Sequence, residues 1–379
     1  MWYNIVNKHF LKGINYMSKQ LYRISEIKFD PKAFNEQANI ILEKFKLYNQ
    51  YLNSSPFDTQ FLSMQLLKYE ARHSNMIEGI DTNDIELLAA NSPISKKISN
   101  YVNALKFANE DLMKTKIFTK ELVLNIHKNL FVNMMSIDAI NANPGVWRVK
   151  QVQIANHMPP HPGLVDEYMT EFIDWVNDST LFEGCSNLLE SIVKAAITHA
   201  YFEKIHPFTD GNGRTGRILF NIVLNRHNLT TKPYFYISKA ILHEQFLYYQ
   251  ELAKLDNSND YQKWIKFFLD LLIYQLDANI KTFQAANDLF VEIKREMLQE
   301  EESSHREVKR AMMDYMVRYP IFTFSRVYFK IKPSFDRIDD ATFVSLFDEL
   351  IATYKMRKIP ESKNYEFSRV VDLIVGKDW

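Results

Sequence analysis

The stretch His206-Pro207-Phe208-Thr209-Asp210-Gly211-Asn212-Gly213-Arg214-Thr215-Gly216-Arg217 decides how the rest of the chain is read. An apolar helix precedes it, from Leu188 to about Lys204, with Leu189, Ile192, Val193, Ala196 and Ala200 on one stripe. Asn187, followed three positions on by Glu190, predicts a capping box for that helix. A second helix is expected after Gly213, so the stretch reads as a join between two helices. Its glycines let successive backbone N–H groups turn toward one point, and such a nest at a helix N-terminus binds anions, phosphates above all. Arg214 and Arg217, three apart, face the same side and suit forked hydrogen bonds to phosphate oxygens. Asp210 offers a hard oxygen ligand of the kind Mg²⁺ takes while phosphates complete the shell. His206 supplies a base that titrates near neutral pH. Phe208 reads as core, anchoring the loop. Singly, each feature is ordinary: a turn histidine before proline, a Gly-Asn-Gly turn, a solvated arginine face. Together they compose a nucleotide phosphate-transfer site.

Composition agrees with a helical setting for this loop. The chain has 379 residues and only nine glycines, of which Gly211, Gly213 and Gly216 fall within six positions. A chain so sparing with glycine places it where the backbone needs unusual angles or close approach. Lys+Arg and Asp+Glu balance at 46 each, which argues against a polybasic nucleic-acid binder or an acidic tail protein. One cysteine, Cys185, makes no internal disulfide. The longest apolar run, Phe267 to Ile273, is interrupted by Asp270 and falls short of the roughly 18 residues of a spanning helix. Residues 1–20 lack the apolar core of an export signal. The expectation is a soluble, cytoplasmic protein.

Helical spacing recurs along most of the chain. Helices are predicted from about Asp58 to Glu78, stopped by Gly79, and over Thr119–Phe131, Val165–Asn177, Arg214–Arg226, Lys239–Leu255 and Tyr261–Val291. Trp147–Ile154 alternates between Pro144-Gly145 and Met158-Pro159-Pro160, and predicts a short strand or hairpin. The acidic run Glu300-Glu301-Glu302-Ser303-Ser304 is a candidate linker. Beyond it, helices over Val308–Val317 and Ala341–Thr353 and a strand over Tyr365–Val371 predict a small α+β module compatible with a winged helix. Residues 300–379, the acidic run included, carry 14 Lys+Arg and 14 Asp+Glu, and this zero net charge weakens a DNA-binding reading. No His-Glu-x-x-His or comparable metal-ligand spacing occurs.

The 206–217 stretch resembles the signature of the Fic family, His-x-Phe-x-(Asp/Glu)-Gly-Asn-Gly-Arg-x-x-Arg, at every specified position. The resemblance implies a mainly α fold with a short β-hairpin flap, here over residues 55–290, an N-terminal helical extension over 1–54, and a winged-helix-like module over 305–379. It implies transfer of AMP from ATP to a Ser, Thr or Tyr hydroxyl of a target protein, with pyrophosphate leaving. On that likeness His206 deprotonates the hydroxyl and Asp210 holds Mg²⁺. Gly211, Asn212 and Gly213 cradle the α- and β-phosphates, while Arg214 and Arg217 bind the outgoing phosphates, Arg217 reaching the γ-phosphate. The related Doc kinases have Lys at the place of Gly213, so the glycine favours nucleotidyl transfer. Val152, Gln153 and Ile154, followed by His157-Met158-Pro159-Pro160, look like the family's flap, which pairs with the target's main chain. Tyr248 and Tyr249 stand where the family has adenine-pocket tyrosines. The family commonly has Asn a little further on, where this chain reads Asp256-Asn257.

Ser74-Asn75-Met76-Ile77-Glu78-Gly79 fits the family's inhibitory motif, with Ser74 and Glu78 one helical turn apart on a helix spanning about 58–79. The resemblance implies that Glu78 pairs with Arg217 where the γ-phosphate would sit, so self-modification stays low until it is removed. A homodimer is compatible with this class. Two alternatives remain open at this point: removal of AMP from a modified protein with Glu78 aligning water, and a nucleotide-sensing regulator that binds DNA through its tail.

Overall fold

In a computed structural model of the chain, the described residues are 21–54, 59–80, 87–88, 96–155, 157–180, 182, 185–229, 235–299 and 305–375. The candidate linker at 300–304, the first 20 residues and the expected helix start at Asp58 lie outside them. Two compact units emerge, one formed by residues 1–49, 66–81 and 96–277, the other by 50–65, 82–95 and 278–379. Among the described residues the chain is mainly helical, with one three-stranded sheet in the second unit.

The helices in chain order are α1 (Asn35–Ser54), α2 (Thr59–Ile77), α3 (Lys96–Thr115), α4 (Lys120–Asn129), α5 (Ile137–Asn141), α6 (Val165–Asn177), α7 (Asn187–Ile205), α8 (Asn212–Leu224), α9 (Ser238–His243), α10 (Gln245–Lys254) and α11 (Gln262–Gln299). The first unit is built on α7 and α8. Every residue from Leu188 to Ile205 except Glu190 is buried, and α8 is buried at all positions but Gly213. An all-round apolar helix belongs at the centre of a helical core. Trp264 of α11, 1% exposed, donates its indole N–H to the Ala196 carbonyl at 2.8 Å, so even this large ring is satisfied inside.

Local chemistry departs from the sequence expectation in three places. Ser186, not Asn187, caps α7: its Oγ accepts from the Leu189 N–H at 3.3 Å, and Glu190 instead pairs with Lys194 at 2.9 Å. The stretch Lys239–Leu255 is two helices, because Glu244 leaves helical angles (φ −102°, ψ 31°) between α9 and α10. Trp147–Ile154 forms no ladder and closes at its tip in one antiparallel bridge, Ile154 to His157. It is tied down by other bonds: the Arg148 main-chain N–H donates to Pro207 O at 2.8 Å, and the Gln151 side chain donates from Nε2 to Pro159 O at 2.8 Å.

The second unit has its own core, in which Phe290, Met312, Phe347 and Phe367 are essentially inaccessible. Its elements after α11 are α12 (Arg306–Arg318), β1 (Ile321–Thr323), α13 (Phe324–Ile331), α14 (Asp340–Thr353), β2 (Arg357–Lys358), β3 (Asn364–Glu366) and α15 (Ser368–Val375). The antiparallel sheet has the order β1-β3-β2, with Phe322 opposite Tyr365 and Lys358 opposite Tyr365 on the other side. The strand expected over Tyr365–Val371 ends at Glu366. Val370 and Val371 belong to α15, whose apolar face they bury.

Candidate active site

The loop joining α7 to α8 is held by three devices that the sequence carries locally. His206 ends α7 in the left-handed region (φ 47°), and Gly211 (φ 81°) precedes α8, where a side chain would be strained. Between them, Asn212 clamps the loop, because its Oδ1 accepts from the Phe208 N–H at 2.9 Å and its Nδ2 donates to the Phe208 carbonyl at 2.8 Å. Phe208 is fully buried and stacks on His127, the ring centroids 3.6 Å apart. The side chain of Asn212 is therefore spent on the loop, and its main-chain N–H alone is left for a phosphate. The first helical bond of α8 runs from the Thr215 N–H to Gly211 O, so the Asn212, Gly213 and Arg214 N–H groups are helix-start donors. Asn212→Ala should remove both clamp bonds and cost roughly 2–3 kcal/mol, about 1 per bond with a buried carbonyl and N–H left unpaired. Thermal unfolding measures it, and a Tm within a degree of wild type would contradict the clamp.

His127, which the sequence pattern did not single out, fixes the loop from the other side. Its Nδ1 accepts from the Gly145 N–H at 2.9 Å, so Nε2 carries the proton and donates to Asp210 O at 2.8 Å. Burial pushes its pKa down to about 4, in keeping with a neutral ring. Arg148, also missed, is 2% exposed and donates from Nε to the His206 carbonyl at 2.8 Å and from its Nη2 to Pro160 O at 2.5 Å. A buried arginine feeding main-chain carbonyls gives no spacing signal, since its partners lie 12 and 58 residues away.

Burial, helped by the nearby His157, holds the His206 imidazole down at about 3. It is thus neutral at ordinary pH and able to accept a proton. Three residues back, Glu203 Oε2 lies 3.9 Å from its Nδ1. Burial drives the Glu203 carboxyl up to about 8 despite the opposing pull of Arg217, so it too is uncharged at neutral pH. Asp210 is the contrasting carboxylate. Its side chain is more than half exposed, Oδ1 accepts from the Gly211 N–H at 2.6 Å, and Oδ2 is 3.6 Å from Arg214.

Although three apart on α8, the two arginines part company. Arg214 lies over the Phe131 ring, 5.1 Å from its centroid. Arg217, 1% exposed, turns to the end of α2: its Nε–H donates to Ser74 Oγ at 2.8 Å, and Nη2 donates to Ser74 O at 2.8 Å and to Glu78 Oε1 at 2.7 Å. Burial is the strongest single influence and opposes this charge, but Glu78, Tyr248 and Tyr101 together raise the guanidinium above its ordinary value. The end of α2 is shaped for that contact. Gly79 (φ 75°) donates to Met76 O and Ile80 to Asn75 O, a Schellman turn that leaves Glu78 as the last residue before the chain reverses. A Cβ built on Gly213 would collide with Glu78 Oε1, and one on Gly216 with Glu203 Oε1, so both glycines allow close approach.

The remaining sequence candidates fall around this centre. Tyr248 is 2% exposed, with its hydroxyl 2.9 Å from His199 Nε2, and lies in the aromatic core with Trp264. Tyr249 is about two-fifths exposed and donates to Ile77 O at 3.4 Å, beside Gln245 Nε2 at 3.0 Å, so α10 holds the end of α2. Val152 and Ile154 are half-buried and Gln153 exposed. Asp256 binds Lys204 Nζ at 2.5 Å and His157 Nδ1 at 2.6 Å, which explains why a carboxylate stands there. Among the described residues no cluster of three or more His, Cys, Asp or Glu could hold a metal by protein ligands alone, and no helix is long and apolar enough to cross a membrane. Asp210 fits a Mg²⁺ ion that takes the rest of its shell from phosphates, since it is an exposed hard oxygen donor beside the helix start.

Known proteins place this loop among relatives. Residues 117–224 match the profile of the Fic/DOC family. The protein adenylyltransferase Fic of Drosophila mojavensis is 31% identical over 174 residues, 46% of this chain and 31% of the relative. The protein of the same name from Aedes aegypti is 31% identical over 175 residues, 46% of this chain and 32% of the relative. The chain thus spans about a third of the length of these curated relatives. A crystal structure of a Fic family protein from Desulfovibrio desulfuricans covers 89% of this chain and 96% of its own at a TM-score of 0.54 and 18% identity, and so shares the fold.

Proposed function

Residues 117–224 make this chain a Fic domain protein, and we propose that it is a protein adenylyltransferase, which moves AMP from ATP to a hydroxyl side chain of a target protein and releases pyrophosphate. One observation carries the reading: a largely sheltered, neutral His206 at the end of α7 is followed within one loop by the helix-start N–H groups of α8 and by Arg214, while Arg217 is held back from them by Glu78.

His206 takes the proton of the attacking hydroxyl as the oxygen approaches the α-phosphorus, and the bond to the β-phosphate oxygen breaks in line. The Asn212, Gly213 and Arg214 N–H groups and the Arg214 guanidinium carry the charge that develops on the leaving phosphates. Mg²⁺, when bound at Asp210, neutralises phosphate charge and fixes the polyphosphate. Arg217 suits the γ-phosphate once Glu78 gives it up, so we take the Glu78–Arg217 pair as an internal brake. Gln153 and its neighbours supply main chain for a target strand, and Tyr249 supplies a wall for adenine, backed by the buried Tyr248 ring 5.0 Å away.

Incubating the purified chain with labelled ATP and Mg²⁺ tests the activity. Label on protein in the Glu78→Gly variant supports it, and no label in either wild type or variant overturns it. Loss of AMP release from an already modified protein in that variant would favour the reverse reaction. Asp210→Ala should raise the Mg²⁺ needed for half-maximal transfer by about tenfold or more, a shift of at least about 1.4 kcal/mol at one charged ligand. An unchanged Mg²⁺ titration would move the metal elsewhere.

A further inference from the structure

His157 closes the tip of the flap, exchanging main-chain bonds with Ile154 at 2.8 and 3.0 Å. Its ring is only 15% exposed, and both nitrogens are engaged. Nδ1 lies 2.6 Å from Asp256 Oδ1, and Nε2 lies 3.0 Å from the Lys204 carbonyl. A carboxylate and a peptide oxygen have no proton to give, so both contacts exist together only if both ring nitrogens carry one. We infer that His157 is held as an imidazolium that pins the flap to the end of α7, positioning the target-docking strand beside His206. This rests on the adenylyltransferase reading for its consequence, though not for its geometry.

Three further observations agree with it. Asp256 has a second cation on the same oxygen, Lys204 Nζ at 2.5 Å, and although burial works to raise its carboxyl, hydrogen bonds from His157 and Lys204 hold it below the usual range. The pin therefore has an ionised partner. The other end is equally fixed, since Lys204 is 2% exposed and sits in the last turn of α7, two residues before His206. A positive ring at 157 also helps keep His206 uncharged, which is the state a base requires. The charged and titratable groups around the ring are Asp256 from the turn after α10, Lys204 and His206 from the end of α7, and Tyr261 ahead of α11, which Asp256 influences. Loss of a ring proton as pH rises would put a lone pair against one of the two oxygens and loosen the flap.

The test uses the full chain and two variants, Asp256→Asn and His157→Phe. Nitrogen-15 spectra at pH 7 should show both His157 ring nitrogens protonated in wild type and a neutral ring in Asp256→Asn. Amide exchange of Ile154 and His157, corrected for intrinsic rates, should be at least about tenfold faster in both variants, with the flap's own pH dependence present in wild type and absent in His157→Phe. On a Glu78→Gly background both variants should lower the rate of label transfer at saturating ATP by about tenfold, with the KM for ATP unchanged, since the flap meets the target and not the nucleotide. A neutral His157 in wild type, or flap exchange unmoved by both substitutions, overturns the pin. Protonated nitrogens and slow exchange in a protein that never transfers label would leave the pin standing and overturn the adenylyltransferase reading instead.

Discussion

On a Glu78→Gly background, His206→Ala is expected to abolish transfer of labelled AMP to protein, with a loss of about 10²–10⁴-fold, while ATP still binds. On the proposed mechanism the imidazole is the base, and its left-handed backbone (φ 47°) and the Arg148 bond to its carbonyl hold it at the end of α7. Its phosphate-binding neighbours do not depend on its ring, so isothermal titration should return an ATP affinity within a few-fold of the parent. The pH profile gives a second reading. A histidine held at about 3 stays neutral from pH 8 down to 5, so the rate should show no acid limb near the ordinary histidine value. An acid limb there, or a variant that transfers AMP at the parent rate, would remove His206 from the mechanism.

How much of this was legible in the sequence depends on whether a residue's partner is near in the chain. The loop residues His206 to Arg217 lie within a single turn-and-helix unit, and Gly211 marks its bend while Gly213 and Gly216 lie in the helix, so a candidate anion site could be proposed from local sequence alone. The α2 terminus could be read because Ser74, Glu78 and Gly79 form one helical turn, although its meeting with Arg217 spans 139 residues and needed the family likeness. Other features have no local pattern. His127 and Arg148 are polar residues on an apolar helix and in a loop, and each works through main-chain oxygens, most of them far away in the chain. Sequence periodicity records which face is buried, and it does not record what a buried polar group bonds to. The flap shows the reverse error. Alternation in Trp147–Ile154 signals a strand, but with no neighbouring strand among the described residues it closes only at the Ile154–His157 bridge.

Glu78→Gly is expected to raise self-modification well above wild type, by about tenfold or more, and to lower thermal stability at the same time. Both effects follow from one contact. Arg217 is 1% exposed and its charge is met by the Glu78 carboxylate at 2.7 Å, with Ser74 supplying only neutral oxygens. Removing the carboxylate strands a buried cation, which costs about 3 kcal/mol at the lower end of what breaking a buried pair costs, because Glu78 itself is a quarter exposed. For a unit of this size that is a fall in Tm of roughly 6–12 °C. The stranded arginine is then free for an anion, so ATP with Mg²⁺ should restore more Tm in the variant than in wild type, where the same phosphate competes with Glu78. Glu78→Gln separates charge from shape: it keeps the bulk beside Gly213 but not the ion pair, and should fall between wild type and Glu78→Gly in all three readouts. Adding His206→Ala to Glu78→Gly should silence transfer yet leave the Tm and the ATP-dependent shift of the single variant. Equal transfer by wild type and Glu78→Gly, with equal stabilisation by ATP, would reduce the Glu78–Arg217 pair to a structural contact.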